Sequence, residues 1–246
     1  MQKIPAKAIS YSSSKRSHDD VKYIVIHYTA NAGDTAINNG NFYHNVNERQ
    51  AGAHFFIDQR GNIVNSIDMN RAAWAVGGNL YSDVKETGGG KLYGTVTNWN
   101  SVSIELCDLV TKDPSSYMIS AVKQCIKYIR KSCKNANTVV RHFDVNGKYC
   151  PRSMMKDDLW KQFLDDIGES KSYMASPKVN PITKEFKVQI IVPILTVRKT
   201  GKTSGTAVGE VKKGDVYTIV ESKDGWGKLK SGAGWININT KYVRMV

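Results

Sequence analysis

Two histidines and a cysteine constrain this chain more than any other feature. The apolar run Tyr23–Ile26 ends at His27, and a short predicted strand over residues 139–142 ends at His142, which is followed downstream by Cys150. Two imidazoles and a thiolate are borderline-soft ligands that suit zinc. Three protein ligands leave one coordination position open, as in catalytic rather than structural sites. We therefore predict that these three residues converge on one Zn2+ ion.

Two neighbouring residues bear on this prediction. Asp144 is a rival ligand, because its carboxylate stands two residues after His142. Lys148 precedes Cys150 by two residues, and alternate residues of an extended chain face the same side. We therefore expect the Lys148 ammonium and the Cys150 thiol to point together.

Residues 1–168 carry the pattern of an α/β domain. The predicted strands cover residues 23–27, 101–107 and 139–142, a hairpin covers 54–67, and the predicted helices cover 117–133 and 156–167. Strands that are separated by helices favour one mixed sheet flanked by helices.

The pattern changes after that domain. Residues 169–183 are rich in small residues, lysine and proline, which predicts a linker. Residues 184–246 contain short β-rich runs divided by turns such as Lys213-Gly214-Asp215, which predicts a small all-β barrel. Four aromatic residues are expected to build both its core and a binding face: Tyr217, Trp226, Trp235 and Tyr242.

Positive charge is concentrated in the second part of the chain. Residues 1–170 contain 21 Lys and Arg against 17 Asp and Glu, whereas residues 171–246 contain 14 against 5, so they carry +9 of the formal +13. Such a field favours a polyanionic partner, whether nucleic acid, anionic lipid or an acidic wall polymer. Nucleic acid is disfavoured, because no helix-turn-helix, zinc-finger or RNP signature is present.

Cysteine usage and hydropathy exclude other classes. The four cysteines form no C-x-x-C pair, which argues against a disulfide scaffold, and Cys107 is expected to be a packing residue. No apolar stretch approaches the ~20 residues of a membrane helix. The N-terminus lacks the apolar segment of a secretory signal, so we expect synthesis in the cytoplasm without a signal peptide.

Five segments in a fixed order resemble the zinc-dependent N-acetylmuramoyl-L-alanine amidases of the type-2 superfamily, which includes phage lysins and peptidoglycan recognition proteins. They are residues 23–30 (YIVIHYTA), 51–58 (AGAHFFID), 72–74 (AAW), 100–106 (NSVSIEL) and 142–151 (HFDVNGKYCP). The C-terminal part is similar to bacterial SH3-like wall-binding domains, at residues 195–198 (LTVR), 211–215 (VKKGD), 225–229 (GWGKL) and 234–236 (GWI). The combination resembles a phage endolysin or a related autolysin of a Gram-positive host.

This resemblance implies a role for each matched residue. His27, His142 and Cys150 would bind zinc, Glu105 would act as the catalytic acid and base, and Lys148 would stabilise the oxyanion. A zinc-activated water would then cleave the amide bond between N-acetylmuramic acid and the L-alanine of the stem peptide.

Substrate contacts are assigned to Tyr28, His54 and Trp74, although His54 is equally open to a structural role. Two positions depart from the pattern of relatives. Ala53 stands where some relatives carry a tyrosine, and Ala75 stands where many carry a histidine after the tryptophan. The second departure puts one substrate contact in doubt.

The implied partners are peptidoglycan, through its stem peptide and glycan, and anionic wall polymers, through the basic C-terminal domain. Neither nucleic acid nor a membrane is expected, and the protein would act on the cell wall after release. Glycines at 77–78 and 88–90 are expected to form a mobile rim along the groove. The alternative is a non-catalytic peptidoglycan-binding recognition protein, but such relatives tend to lack a metal ligand.

Overall fold

The computed structural model describes residues 1–170, 185–223, 225–239 and 241–246. The chain divides into two compact units, Met1–Ser176 and Pro177–Val246. The division falls within the predicted linker, of which residues 171–183 lie outside the described residues. The linker therefore stays a prediction.

A six-stranded mixed sheet forms the centre of the N-terminal unit. Its strands, in spatial order, are β1 (Gln2–Lys3), β5 (Ile63–Asn65), β4 (Phe55–Ile57), β7 (Ser101–Leu106), β3 (Tyr23–Tyr28) and β8 (Thr138–Arg141). Neighbouring strands are parallel except in the β4–β5 hairpin, which is antiparallel. Strands β2 (Tyr11–Lys15) and β6 (Arg71–Ala73) form a separate antiparallel pair. The predicted mixed sheet of an α/β domain is confirmed.

Five α-helices accompany this sheet among the described residues of the unit. They are α1 (Ala36–Asn45), α2 (Val84–Thr87), α3 (Ser116–Ser132), α4 (His142–Asn146) and α5 (Asp157–Ile167). The sequence pattern predicted α3 and α5 but missed α1, whose polar sequence has no apolar stripe. Helix α1 is instead fixed by its Thr35 cap, which accepts the Asn38 N–H, and by close packing at Gly40. A Cβ at Gly40 would stand 2.8 Å from the Val64 side chain.

The two faces of the central sheet bury different sets of residues. Ile24 and Ile26 pack with α3 and α5 in the main core, together with residues of β4 and β7. Tyr23 and Val25 face the other way and pack against Val76 and other aliphatic side chains. Because side chains alternate along a strand, the next odd-numbered residue of β3 also lies on the face opposite α3 and α5.

The C-terminal unit is an all-β structure of seven antiparallel strands. They are β9 (Phe186–Ile190), β10 (Ile194–Arg198), β11 (Ala207–Lys212), β12 (Val216–Lys223), β13 (Trp226–Leu229), β14 (Trp235–Asn237) and β15 (Val243–Met245), in the spatial order β11-β10-β14-β13-β12-β9-β15. This arrangement is compatible with the SH3-like barrel that the sequence predicted. Trp226 is buried, while Trp235, Tyr217 and Tyr242 are half-buried. Across the described ranges, we find no helix with both the length and the apolarity needed to cross a bilayer.

Candidate active site

Strand register brings His27 and Glu105 side by side. The two residues are direct partners in the parallel β3–β7 pair. Directly paired residues of neighbouring strands project to the same face, so both side chains leave the sheet on the side away from α3 and α5. His27 is buried, and Glu105 is half-buried near the carboxyl end of its strand.

The loop after β8 brings two more of the predicted residues to this point. Strand β8 lies beside β3, and His142 begins α4 directly after it. The His27 and His142 ring centroids are 4.5 Å apart. Cys150 Sγ lies 3.8 Å from His27 Nδ1, and the ligand atoms of all three residues fall within 4.8 Å of one another. Ligands of a tetrahedral zinc are separated by about 3.6 Å, given the usual Zn–S and Zn–N bond lengths.

Three nitrogens at this point are buried and have no hydrogen-bond partner among the described residues: His27 Nε2, His142 Nδ1 and His142 Nε2. Burial, reinforced by the cation of Lys148, lowers the pKa of His142 to about 3. Burial and then His142 lower the pKa of His27 well below its ordinary value. Both imidazoles are therefore neutral, which is the form that binds a metal. Unpartnered buried nitrogens are costly, and a bound cation would satisfy one nitrogen of each ring.

The thiol of Cys150 completes this set. Burial raises its pKa above the ordinary value, and the backbone N–H of Tyr28 partly offsets this effect by hydrogen bonding the sulfur. A coordinating metal ion would displace the thiol proton. The Cys150 N–H donates to the Lys148 carbonyl at 2.7 Å, which closes a tight turn between the two residues. The extended geometry that we expected there is thus replaced by a turn.

The rival ligand, Asp144, is engaged elsewhere. Its carboxylate forms an ion pair of 2.7 Å with the buried Arg141 and also accepts the Arg141 backbone N–H at 2.8 Å. Arg141 donates in addition to the carbonyls of Met154 and Met155 and to Asp157. This buried arginine anchors the loop that carries His142 and Cys150. Sequence reasoning missed it, although an aspartate three residues after an arginine at a helix start was a visible signal.

Glu105 and Lys148 supply opposite charges near the three candidate ligands. Burial raises the pKa of Glu105 to about 7, while the Lys148 cation opposes that rise. Glu105 Oε2 is buried and accepts no hydrogen bond from the described residues, so this oxygen remains an unused acceptor within the protein. Lys148 itself is exposed and lines the open cleft beside His142. A carboxyl group with a pKa near neutrality can both accept and return a proton.

The cleft has a volume of about 600 Å³. Half-buried Trp74 lines it with His142 and Lys148, and its role as a substrate contact stays a prediction. Tyr28, also predicted as a substrate contact, does not line this cleft. Its ring packs against the core of α3 and α5, because it follows His27 in the strand and so points to the opposite face.

His54 is fully buried, and both of its ring nitrogens make hydrogen bonds inside the protein. Nδ1 accepts the Ser103 backbone N–H at 3.0 Å, so Nε2 carries the proton and donates to the Arg71 carbonyl at 3.0 Å. The Arg16 guanidinium lies 3.1 Å from Nε2, and burial followed by this cation lowers the pKa of His54 to about 3. The sequence left His54 open to a structural role or a substrate contact. Its burial supports the structural role, because a substrate cannot reach the ring in this structure.

The glycines at 88–90 serve a packing role that the sequence did not reveal. A Cβ at Gly89 would stand 2.6 Å from the Phe143 ring. Gly90 donates its N–H to the Phe143 carbonyl at 2.9 Å, and Leu92 donates to the Asp144 carbonyl at 2.8 Å. This segment is thus bonded to α4 rather than standing free along the groove.

Comparison with known proteins shows the family of this chain. Residues 17–153 match the family model of the N-acetylmuramoyl-L-alanine amidases, and the chain belongs to that family. It is 30% identical to the amidase CwlA of Bacillus subtilis (strain 168) over 145 residues, which is 57% of this chain and 47% of CwlA. It is 28% identical to the amidase CwlL of Bacillus licheniformis over 145 residues, or 56% of this chain and 38% of CwlL. The chain therefore spans less than half the length of these relatives.

Solved structures support the fold. The structure of PlyL superposes with a TM-score of 0.53 at 21% identity, covering 68% of this chain and 96% of PlyL. The catalytic domain of PlyG superposes with a TM-score of 0.52 at 21% identity, covering 72% of this chain and 98% of that domain. At this level of identity the likeness establishes the fold alone.

Proposed function

We propose that this protein is a zinc-dependent N-acetylmuramoyl-L-alanine amidase that hydrolyses the amide bond between N-acetylmuramic acid and the L-alanine of the stem peptide. The observation that carries the proposal is the convergence of His27, His142 and Cys150, within 4.8 Å, beside Glu105. Family membership supplies the reaction class, and the names of the relatives supply the bond.

The donor set fits zinc. Two neutral imidazoles and one thiol are ligand types that zinc prefers, and three protein ligands leave one coordination position open. Zinc held there would supply a Lewis acid next to the scissile carbonyl. The buried, unpartnered histidine nitrogens support a cation at this position.

Glu105 is proposed as the general base and acid. Its carboxylate takes a proton from the attacking water and later returns it to the leaving amine of L-alanine. The pKa of about 7 that burial gives it suits both steps near neutral pH. Proton transfer by a positioned group of this kind contributes roughly 10²–10⁴-fold to the rate.

Lys148 is proposed as the group that stabilises the negative charge on the carbonyl oxygen. It lines the cleft, and its charge already lowers the pKa values of His27, His142 and Glu105, so it lies within effective electrostatic reach of the site. A cation directed at developing charge contributes most in a partly dehydrated cleft.

Digestion of purified Gram-positive peptidoglycan tests this reaction. Mass spectrometry of the products should show released stem peptides that begin with a free L-alanine amine. The glycan should keep N-acetylmuramic acid residues that carry a free carboxyl group in place of the peptide. The same digest with a zinc chelator is the control. Wall binding without any new alanine N-terminus would instead support the non-catalytic recognition protein.

The C-terminal unit is proposed to bind the cell wall. Its part of the chain carries most of the positive charge, which favours approach to anionic wall polymers. We further propose that the protein is made in the cytoplasm and reaches the wall only after release, as in an endolysin or an autolysin.

Removal of the C-terminal unit tests the targeting role. Residues 1–170 keep their own core, so we expect this fragment to hydrolyse soluble muropeptides at a rate close to that of the full chain. Lysis of whole walls should fall by about tenfold or more, since tethering raises the effective concentration of an enzyme at its substrate. Turbidity clearing of wall suspensions measures the effect. Equal clearing by both proteins would remove the targeting role.

A further inference from the structure

One amide group in the cleft is held in a single orientation. Asn98 Oδ1 accepts two backbone N–H groups, from Ala75 at 3.0 Å and from Val76 at 2.8 Å. Rotating the carboxamide by half a turn would set its NH2 against these two donors, so the orientation follows from the hydrogen bonds. The NH2 group is therefore directed away from the Ala75–Val76 backbone.

That NH2 group is free to bind a ligand. Asn98 lines the same cleft as Trp74, His142 and Lys148. Among the described residues no acceptor takes a hydrogen bond from Asn98 Nδ2. Gly77 has no side chain beside this nitrogen, and a Cβ added there would stand 3.7 Å from it, at ordinary contact distance.

The neighbouring amide in the cleft is not free in this way. Asn146 donates from Nδ2 to the Gly77 carbonyl at 3.3 Å and accepts the Lys148 N–H at 3.0 Å through Oδ1. Gln50 and Asn79 also line the cleft, but both are exposed side chains without such anchoring. Among the described residues that line the cleft, Asn98 is thus the side-chain amide whose oxygen is anchored by hydrogen bonds and whose NH2 group has no acceptor.

The backbone of Asn98 is anchored as firmly as its side chain. Buried Arg16 donates to the Asn98 carbonyl at 2.9 Å and to the Trp99 carbonyl at 2.6 Å. The same guanidinium donates to the Met69 carbonyl at 2.9 Å and contacts His54. The buried Arg16–His54 pair takes no part in the proposed reaction, and it supports this wall of the cleft.

We propose that Asn98 is a substrate-positioning residue, whose NH2 group donates a hydrogen bond to an amide carbonyl oxygen of the substrate. The inference rests on the proposed function, because the substrate of that reaction carries amide carbonyls on both the sugar and the peptide. A preorganised donor loses little side-chain entropy on binding, so its hydrogen bond contributes efficiently to affinity. Trp74 offers the adjacent aromatic surface.

The substitution Asn98→Asp separates positioning from folding. One carboxylate oxygen still accepts the Ala75 and Val76 N–H groups, but the donor is replaced by an acceptor that repels a carbonyl. We expect an unchanged melting temperature and a KM for a soluble muramyl dipeptide that rises about tenfold, equivalent to about 1.4 kcal/mol. The kcat should change much less. Asn239→Asp is the matched control, because Asn239 also accepts a backbone N–H through Oδ1, in the other unit.

A second substrate, which lacks the N-acetyl group of the sugar, shows which carbonyl Asn98 binds. If Asn98 binds the acetamido carbonyl, the Asn98→Asp substitution should change the KM very little for the substrate that lacks this group. If it binds a peptide carbonyl, the substitution should raise KM equally for both substrates. A KM within twofold of the parent protein on both would overturn the proposal. Lack of turnover by the unsubstituted protein would instead refute the proposed function.

A measurement on the unsubstituted protein tests the proposal even if the variant misfolds. Titration with an equimolar mixture of the two products of muramyl dipeptide, N-acetylmuramic acid and the free dipeptide, followed by NMR, should shift the side-chain NH2 signals of Asn98 and leave those of Asn239 in place. Stationary Asn98 signals, alongside a shifting Trp74 indole signal, would show that the ligand enters the cleft without meeting this donor, and the proposal would fail.

Discussion

Replacing Cys150 with alanine is expected to remove both the bound zinc and the hydrolytic activity. The thiol is one of three side chains whose ligand atoms lie within 4.8 Å, and two imidazoles alone leave a zinc site one protein ligand short. Hydrolysis of a soluble muropeptide should fall by at least about 10³-fold, since both the Lewis acid and the nucleophile it activates are lost. The same outcome is expected for His27→Ala.

Metal analysis of the purified proteins, alongside the rate assay, measures both effects. Cys125→Ala is the matched control, because Cys125 is an equally buried cysteine in α3 that belongs to the core. It should keep one zinc per chain and near-normal turnover, with some loss of stability. Stoichiometric zinc in the Cys150→Ala protein would contradict the assignment of this ligand.

Replacing Glu105 with glutamine should separate catalysis from metal binding. The amide keeps the shape of the side chain but cannot take a proton from water, so activity should fall roughly 10²–10⁴-fold. Zinc content should stay at the level of the parent protein, because Glu105 lies next to His27 across the β3–β7 pair without belonging to the ligand set.

Glu48→Gln supplies the matched control for this change, because Glu48 is an exposed glutamate outside the cleft lining. It should leave both turnover and zinc content unaltered. Loss of zinc from the Glu105→Gln protein would mean that the carboxylate is a ligand rather than a base. Activity within a few-fold of the parent would mean that another group moves the proton.

Strong apolar periodicity predicted the elements that carry the fold. The stripes over 117–133 and 156–167 predicted α3 and α5 almost to the residue, because each helix buries one face against the sheet. The runs around 23–27 and 101–107 predicted the two central strands, which are covered on both faces. Helix α1 was missed because its stability comes from a cap and from close packing at Gly40, neither of which leaves an apolar stripe.

Side-chain direction was the main source of error at the site. Tyr28 was assigned to the cleft because it follows His27, yet neighbouring residues of a strand point to opposite faces. His54 lies in a segment that resembles the family, but its burial beside Arg16 could be seen only once β4, β6 and β7 were assembled. Asp144 looked like a possible ligand until its pairing with Arg141 was known.

The sequence by itself determined the chemical identity of the site: two imidazoles, a thiol, a carboxylate and an ammonium, in the order of a known family, with a basic β-rich unit behind them. Only the tertiary structure decided which of these groups meet. Convergence depends on the parallel register that pairs His27 with Glu105 and on the buried Arg141 that anchors the loop with His142 and Cys150. Both join residues distant along the chain, and local sequence pattern carries no information about such distances.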